Sequence, residues 1–260
     1  MSNRASLMTG RMPSQHGVRY NGVPLDRDYV TFVELLREAG YRTALVGKSH
    51  LQGMQAAPSL VTRRAAAAGL APPPSMAEAR KSYPRLEEYN VEVRERWLAE
   101  GDAPTIPLPY YGFESVEFTL GHGDEVTGHY EEWLRDRAPE QAGRRGVQYA
   151  RSRGVSGHPQ IYQPSMDEAL YPTRYVAERT CAWLEAHARA AGSQPFFLQC
   201  SFPDPHHPFT PPGRYWDMYD PAAMDPGPSF RTPAKDAVPP MAKLWRDFES
   251  GLGSKRWTYP

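Results

Sequence analysis

The sequence has little cysteine, no excess of either charge and no long apolar run, and each absence excludes a class of protein. Its 260 residues include only two cysteines, Cys181 and Cys200, which form no C-x-x-C pair. A disulfide framework is therefore excluded, and we expect both to be buried free thiols. Because 30 Lys and Arg residues balance 30 Asp and Glu residues, charge gives no reason to expect a nucleic-acid partner. The sequence has no run of about eighteen apolar residues, so we expect no membrane-spanning helix.

Proline and glycine, by contrast, are abundant, with 27 and 21 residues. This abundance indicates that much of the chain is loop. The length is sufficient for one substantial core or two small ones. Residues 53–85 are rich in alanine and proline ("AAAAGLAPPPS"), and residues 121–165 are polar. We therefore expect a loop-rich excursion at about 53–165 within a single domain.

The stretch "VTFVELLREAGYRTALVGKSHL" predicts a helix followed by a strand. Thr31 and Glu34 have the spacing of a capping box, and Gly40 is placed to end the helix. Residues 41–46 then have the composition of a short strand, which leads into the loop "GKSH".

The same order recurs later in the chain. "PTRYVAERTCAWLEAHARAAG" predicts a helix from about Thr173 to Ala191, closed by Gly192. "PFFLQCSF" is a nearly continuous apolar run, typical of a strand covered on both faces. "ESVEFTL" alternates as a further strand would. A helix followed by a strand, found twice, predicts an α/β fold with a mostly parallel sheet.

Ionisable side chains follow two of the predicted strands. Lys48 and His50 follow the first, and Asp204, His206 and His207 follow the second. Ligand sites of open α/β sheets lie beyond the carboxyl ends of the strands, so these two loops could converge. An ammonium group with imidazoles suits an anion and its proton transfers. The residues alone favour a hydrolase or transferase that handles an oxyanion, with solvated loop charges as the alternative.

The opening stretch "NRASLMTGR" predicts a short helix that ends at Gly10, with Asn3 as a candidate cap. Arg4 would add a fork of donors that matches a tetrahedral oxyanion.

Three of these stretches, in the same order, resemble the sulfatase family. "NRASLMTGR" resembles the signature that surrounds the catalytic cysteine of sulfatases, and "GYRTALVGKSHL" resembles their second signature. "PFFLQCSFPDPHHPFTPPGRYWDMYDP" is similar to the stretch that carries their substrate-binding histidine. The resemblance implies an alkaline-phosphatase-like fold, a mostly parallel sheet flanked by helices. It also implies that residues 1–260 are a partial sulfatase-like catalytic domain, truncated at both ends, with an incomplete sheet.

The resemblance implies roles for five residues. Arg4 would position the nucleophile, and Lys48 would stabilise charge on the sulfate oxygens. His50 would hydrogen-bond the nucleophile and help remove the proton whose loss lets the sulfated enzyme release sulfate, and His206 would bind sulfate and protonate the leaving oxygen. Asn21 lies where some relatives contact substrate, although Asn-Gly is also a common turn dipeptide.

The nucleophile and the metal ligands are expected outside this chain. The resemblance places the nucleophilic cysteine immediately before Met1, and in the family this cysteine is oxidised to formylglycine. A formylglycine-generating enzyme is therefore an expected partner of a longer protein. A divalent cation, Ca²⁺ with Mg²⁺ or Mn²⁺ as alternatives, is the implied cofactor, and no residue of this chain is assigned as its ligand. We therefore expect the chain as written to be inactive.

The implied function is that of a sulfuric ester hydrolase similar to arylsulfatases, acting on a small-molecule sulfate ester. One alternative is a phosphonate monoester or phosphodiester hydrolase of the same superfamily, and another is a non-catalytic fragment. His122, Asp124 and His129 could suggest a metal cluster, but their spacing matches no zinc motif. We assign them no metal role.

Overall fold

The computed structural model describes residues 1–54, 89–99, 103–154, 158–190 and 193–228, with a few positions between 238 and 250. The chain divides into two compact units, Met1–Trp216 and Asp217–Pro260. In the second unit, a short 3₁₀ turn spans Pro221–Ala223, and the Asp220 carboxylate caps it by accepting a hydrogen bond from the Ala222 N–H. Residues 55–88 of the predicted excursion lie outside the described residues. The single-domain division stays a prediction.

The first unit contains the regular elements that concern the site. Within the described residues, its α-helices are α1 (Ser2–Thr9), α2 (Pro13–His16), α3 (Phe32–Glu38), α4 (Arg94–Leu98), α5 (His129–Arg137), α6 (Pro139–Ala142) and α7 (Pro172–Ala190). Its strands are β1 (Arg42–Gly47), β2 (Ser115–Leu120), β3 (Thr127–Gly128) and β4 (Phe196–Ser201). None of the helices in the described ranges is long and apolar enough to cross a membrane.

The four strands form one sheet in the order β3-β2-β1-β4. β1 pairs in parallel with both β2 and β4, and β3 pairs antiparallel with β2. The mostly parallel sheet that the sequence predicts is therefore confirmed. Because β1 lies between two parallel neighbours, the loops that follow β1, β2 and β4 leave the same edge of the sheet.

Both faces of β1 are covered. Leu45 belongs to a core cluster with Val33 of α3 and Phe118 of β2. Its neighbour Val46 belongs to a second cluster with Tyr130 of α5. Successive side chains of a strand point to opposite faces, so helices pack on both sides of the sheet. This arrangement confirms the α/β class.

The helix and strand predicted around residue 40 are found almost where the sequence places them. The Thr31 hydroxyl accepts a hydrogen bond from the Glu34 N–H at 3.2 Å, as a capping residue does. α3 ends at Glu38, and Gly40 turns the chain with a φ of 87°. β1 begins and ends one residue later than predicted.

Two expectations about burial are wrong. β4 is not covered on both faces, because the Phe196 side chain is 44% exposed and the strand lies at the end of the sheet within the described residues. Cys181 and Cys200 are free, as expected, but both are exposed. Cys200 is exposed because it lies on this partly covered strand, and Cys181 lies at an exposed position of α7.

Gly47, the last residue of β1, brings the following loop against β4. Its φ is 110°, and a Cβ at this position would lie 1.9 Å from the Ser201 carbonyl oxygen. Only glycine permits this approach. The next residue can then donate a backbone hydrogen bond, from Lys48 N to Ser201 O at 2.8 Å.

Candidate active site

Three loops converge at the carboxyl edge of the sheet. The Lys48 side chain, after β1, donates a hydrogen bond to His122 Nε2, after β2. The His122 ring stacks on the His206 ring, after β4, with centroids 3.7 Å apart and planes 14° apart. The structure thus brings together the two loops that the sequence reasoning paired, and it adds a third loop that the reasoning did not include.

Lys48 is the central cation of this cluster. The residue is only 3% exposed. Besides His122, its ammonium group reaches the Gly121 carbonyl oxygen at 3.5 Å. Burial first, and then the charge of Arg4, lower the pKa of Lys48 to about 8, partly offset by the carboxylates of Glu92 and Asp204. The group is therefore a cation at neutral pH that loses its charge in mildly basic solution.

Arg4 fastens α1 to the loop after β1. Its Nη1 donates to the carbonyl oxygens of Lys48 and Ser49, each at 2.7 Å. Burial lowers the pKa of Arg4, but a guanidinium group keeps its charge in proteins. α1 spans Ser2–Thr9 and Gly10 follows it as the predicted stop, but Asn3 lies inside the helix and does not cap it.

A buried carboxylate organises the backbone around His50. Glu92 Oε2 accepts from His50 N at 2.7 Å, and Oε1 accepts from Leu51 N and Gln52 N at 3.0 and 3.1 Å. The Tyr110 hydroxyl donates to the same carboxylate at 2.5 Å. His50 itself has a φ of 58°, an unusual value for a residue other than glycine. Glu92 therefore holds the loop in a conformation that it would not adopt by itself.

The three histidines nearest Lys48 are neutral at physiological pH. Burial, followed by the charge of Lys48, lowers the pKa of His50 to about 3 and that of His122 to about 2. Burial also lowers the pKa of His206. The positive charge of the site therefore comes from Lys48 and Arg4, while the imidazoles serve as neutral donors and acceptors.

The hydrogen bond of His206 assigns its tautomer. Nδ1 lies 2.6 Å from the His207 carbonyl oxygen, which can only accept. Nδ1 must therefore carry a hydrogen, and Nε2 of the neutral ring has a free lone pair. His206 is exposed, and the ring of the half-buried His207 lies 6.4 Å from His122.

Asp204 fastens the loop after β4 to the beginning of α7. Its carboxylate accepts from the Thr173 hydroxyl at 3.0 Å and from the Tyr171 hydroxyl at 3.3 Å. Burial raises the pKa of Asp204. Asp204 thus fixes the position of the loop after β4. His206 is the residue of this loop that contacts the cluster.

Asn21 lies beside the first residue of the chain. Its exposed side-chain oxygen accepts from the Met1 amino group at 3.0 Å. Burial lowers the pKa of that amino group, and the charges of Arg4 and Lys48 lower it further. The amino end of Met1 is therefore close to both cations. A substrate contact of Asn21 stays a prediction.

The described residues do not fit a divalent cation. No group of three or more His, Cys, Asp or Glu side chains within them could hold a metal ion. The Asp124 carboxylate accepts from the Tyr162 hydroxyl at 2.6 Å and from Gly146 N at 2.8 Å. His129 Nδ1 accepts from the Phe118 N–H at 2.9 Å.

His122 and Glu92 are site residues that the sequence reasoning missed. His122 follows β2, so the strand-end rule that located Lys48 and His206 would also have located it. Glu92 carries no such signal, because it lies 42 residues from His50 in a stretch without a recognisable motif.

Comparisons with known proteins find similarity to sulfatases. Residues 2–68 match the model of the Sulfatase family. An arylsulfatase from Clostridium perfringens is 24% identical over 84% of this chain, which is 36% of that protein. Arylsulfatase G from Rattus norvegicus is 45% identical over 19% of this chain and 10% of its own length. This chain therefore spans only about a third, or less, of the length of these relatives.

A solved structure extends the similarity to most of the chain. The phosphonate monoester hydrolase from Silicibacter pomeroyi covers 87% of this chain with a TM-score of 0.51, and the match spans 37% of that protein. At 21% identity, this similarity shows the fold alone. Residues 2–68 are therefore similar to the Sulfatase family, and most of the chain shares its fold with a solved phosphonate monoester hydrolase.

Proposed function

We propose that this chain forms the oxyanion-binding part of a sulfuric ester hydrolase similar to arylsulfatases. The convergence of the Lys48 ammonium group with three neutral imidazoles at one edge of the sheet carries this proposal. A sulfate monoester has a single negative charge shared by its non-bridging oxygens. The Lys48 ammonium group can pair with that charge, because Arg4 already donates to two backbone carbonyl oxygens and the surrounding imidazoles are neutral.

Each residue has a distinct task in this proposal. Lys48 donates to a non-bridging oxygen and stabilises the charge that develops as the sulfur–oxygen bond breaks. Arg4 keeps the Lys48 backbone in place through its two carbonyl contacts. His206 gives a proton to the departing oxygen from Nε2, which requires that the bound anion first favour its imidazolium form. His50 accepts a proton from the nucleophile, which likewise requires that the bound anion favour its imidazolium form.

The position of Met1 suits the nucleophile that the resemblance implies. A residue attached to the Met1 nitrogen would begin beside Asn21 and close to Arg4 and Lys48. A formylglycine at that position, produced by a formylglycine-generating enzyme, would add water to its aldehyde, and a hydroxyl oxygen of this hydrate would attack sulfur. We therefore expect the chain as written to bind sulfate without hydrolysing esters. Ca²⁺, or Mg²⁺ or Mn²⁺, belongs to the proposal for a longer protein only.

Titration calorimetry of the 260-residue chain with inorganic sulfate tests this function. Replacing Lys48 by Met should weaken sulfate binding by about 10- to 100-fold, because a charged hydrogen bond contributes about 1.5 to 3 kcal/mol. The exposed Lys243 lies in the other unit, so Lys243→Met is the matched control and should bind as the original chain does. An unchanged affinity in Lys48→Met would refute the proposed site.

The same titration with phenylphosphonate examines the alternative function. The fold likeness to a phosphonate monoester hydrolase is compatible with either ester and favours neither. Tighter binding of phenylphosphonate than of sulfate would replace the sulfatase proposal by the phosphonate alternative. Turnover of p-nitrophenyl sulfate by this chain would contradict the need for a nucleophile before Met1.

A further inference from the structure

His122 joins two of the side chains that the proposed function places against sulfate. Its Nε2 accepts from the Lys48 ammonium group, and its ring covers the ring of His206 at 3.7 Å. Neither the family resemblance nor the sequence motifs assign this histidine a role. It also lies on a different strand-end loop from both of its partners.

The contact with Lys48 defines the chemical state of His122. An ammonium group can only donate hydrogen bonds, so Nε2 of His122 must be the acceptor. The neutral ring therefore carries its hydrogen on Nδ1. Protonation of Nε2 would remove the acceptor and place a second cation against Lys48, and the low pKa of His122 agrees with a ring that stays neutral.

Lys48 depends on this acceptor. Within the described residues, its other hydrogen bond, to the Gly121 carbonyl oxygen, is long at 3.5 Å. The residue is 3% exposed, so bulk water does not replace a missing partner. Without His122, the ammonium group would be free to move away from the position that faces the anion.

The turn that carries His122 is itself fixed against the loop after β4. Gly123 has a φ of 57°, and a Cβ there would lie 2.8 Å from the Thr210 hydroxyl and 3.0 Å from the Pro208 ring. This close packing joins the segment after His122 to the segment that follows His206. The two segments that carry the stacked rings are therefore packed against each other.

We propose that His122 is a positioning residue of the oxyanion site, which orients Lys48 through its Nε2 and His206 through its ring. This inference rests on the proposed function, because the two oriented groups are those that would contact sulfate. Its action is indirect: it sets the position of an ammonium group and of an imidazole before the anion arrives. Preorganisation of this kind strengthens binding because the donors need no rearrangement.

Nitrogen-15 NMR of the ligand-free 260-residue chain tests the contact directly. The histidine spectrum should show His122 with a hydrogen on Nδ1, and His122→Ala should shift the resonances of Lys48 Nζ and His206. The matched control is His158→Ala. It removes a histidine that lies outside the loops of Lys48, His122 and His206, and it should shift neither resonance. A hydrogen on Nε2 of His122, or unchanged Lys48 and His206 resonances in His122→Ala, would overturn the inference.

Binding of inorganic sulfate then separates the role of His122 from the proposed function. His122→Ala should weaken sulfate binding by about tenfold, because one hydrogen bond to a charged group is lost. His122→Gln provides an amide oxygen for Lys48 and should restore affinity to within about threefold of the original. If the original chain binds sulfate and His122→Ala binds it equally well, the inference fails. If the original chain shows the NMR contacts but does not bind sulfate, the proposed function fails while the orientation of Lys48 by His122 stands.

Discussion

Lys48 carries the charge on which the proposed site depends, and burial makes that charge sensitive to pH. Its pKa is lowered to about 8, so the ammonium form predominates below that pH and disappears above it. Sulfate remains a dianion throughout this range. We therefore expect sulfate affinity to be steady near pH 7 and to fall by up to about tenfold per unit above pH 8.

The Met1 amino group is a further titratable cation near the site, and burial and the charges of Arg4 and Lys48 lower its pKa. The Lys48→Met variant keeps Met1 and separates the two groups. Calorimetry over pH 6.5 to 9.5, roughly spanning the Lys48 titration, should show no decline above pH 8 for this variant. A decline of equal slope in both chains would assign the effect to Met1.

Sequence motifs located most of the individual residues that cluster at the site. Arg4, Lys48, His50 and His206 belong to stretches that resemble sulfatase signatures, and the structure places all four at one edge of the sheet. Glu92 could not be found in this way. Its importance comes from the backbone groups that surround it after folding, and no local pattern encodes that environment.

Among the elements, the loop after β1 depends on one distant carboxylate. Glu92 accepts from three backbone N–H groups and from the Tyr110 hydroxyl, and it is fully buried. Glu92→Ala would leave these donors without their partner. We expect this variant to lower the free energy of unfolding by about 3 to 5 kcal/mol, measured by urea denaturation. It should also weaken sulfate binding, because the conformation of His50 is lost.

The exposed Glu95 of α4 is the matched control for Glu92. Glu95→Ala should change the free energy of unfolding by no more than about 0.5 kcal/mol, as surface substitutions do. Similar losses in the two variants, or an unchanged sulfate affinity in Glu92→Ala, would show that the carboxylate does not organise this loop.

Local signals predicted the elements best where they act within a few residues. The Thr31 cap and the Gly40 turn determine the helix and the beginning of β1 almost to the residue. The apolar run of β4 predicted a fully covered strand, but composition does not report where a strand lies in a sheet. Phe196 and Cys200 are exposed because β4 is the end strand of the described sheet.

For the whole molecule, the site arises from the topology of the sheet. Three parallel strands deliver their following loops to one edge, and helices on both faces bury the strands that support them. The order of helix and strand in the sequence was enough to predict this architecture and the meeting of two loops. The third loop, with His122, follows the predicted strand ESVEFTL, so the same rule applied to that strand would have included it.

The central claim is that this edge binds a tetrahedral oxyanion. Anomalous diffraction from a crystal of the 260-residue chain soaked in selenate tests it most directly, because selenate has the shape and charge of sulfate and selenium is located by its own signal. We expect a selenium peak beside His50 and His206, with a selenate oxygen within about 3 Å of Lys48 Nζ. Selenium peaks found only elsewhere on the molecule, with this edge empty, would contradict it.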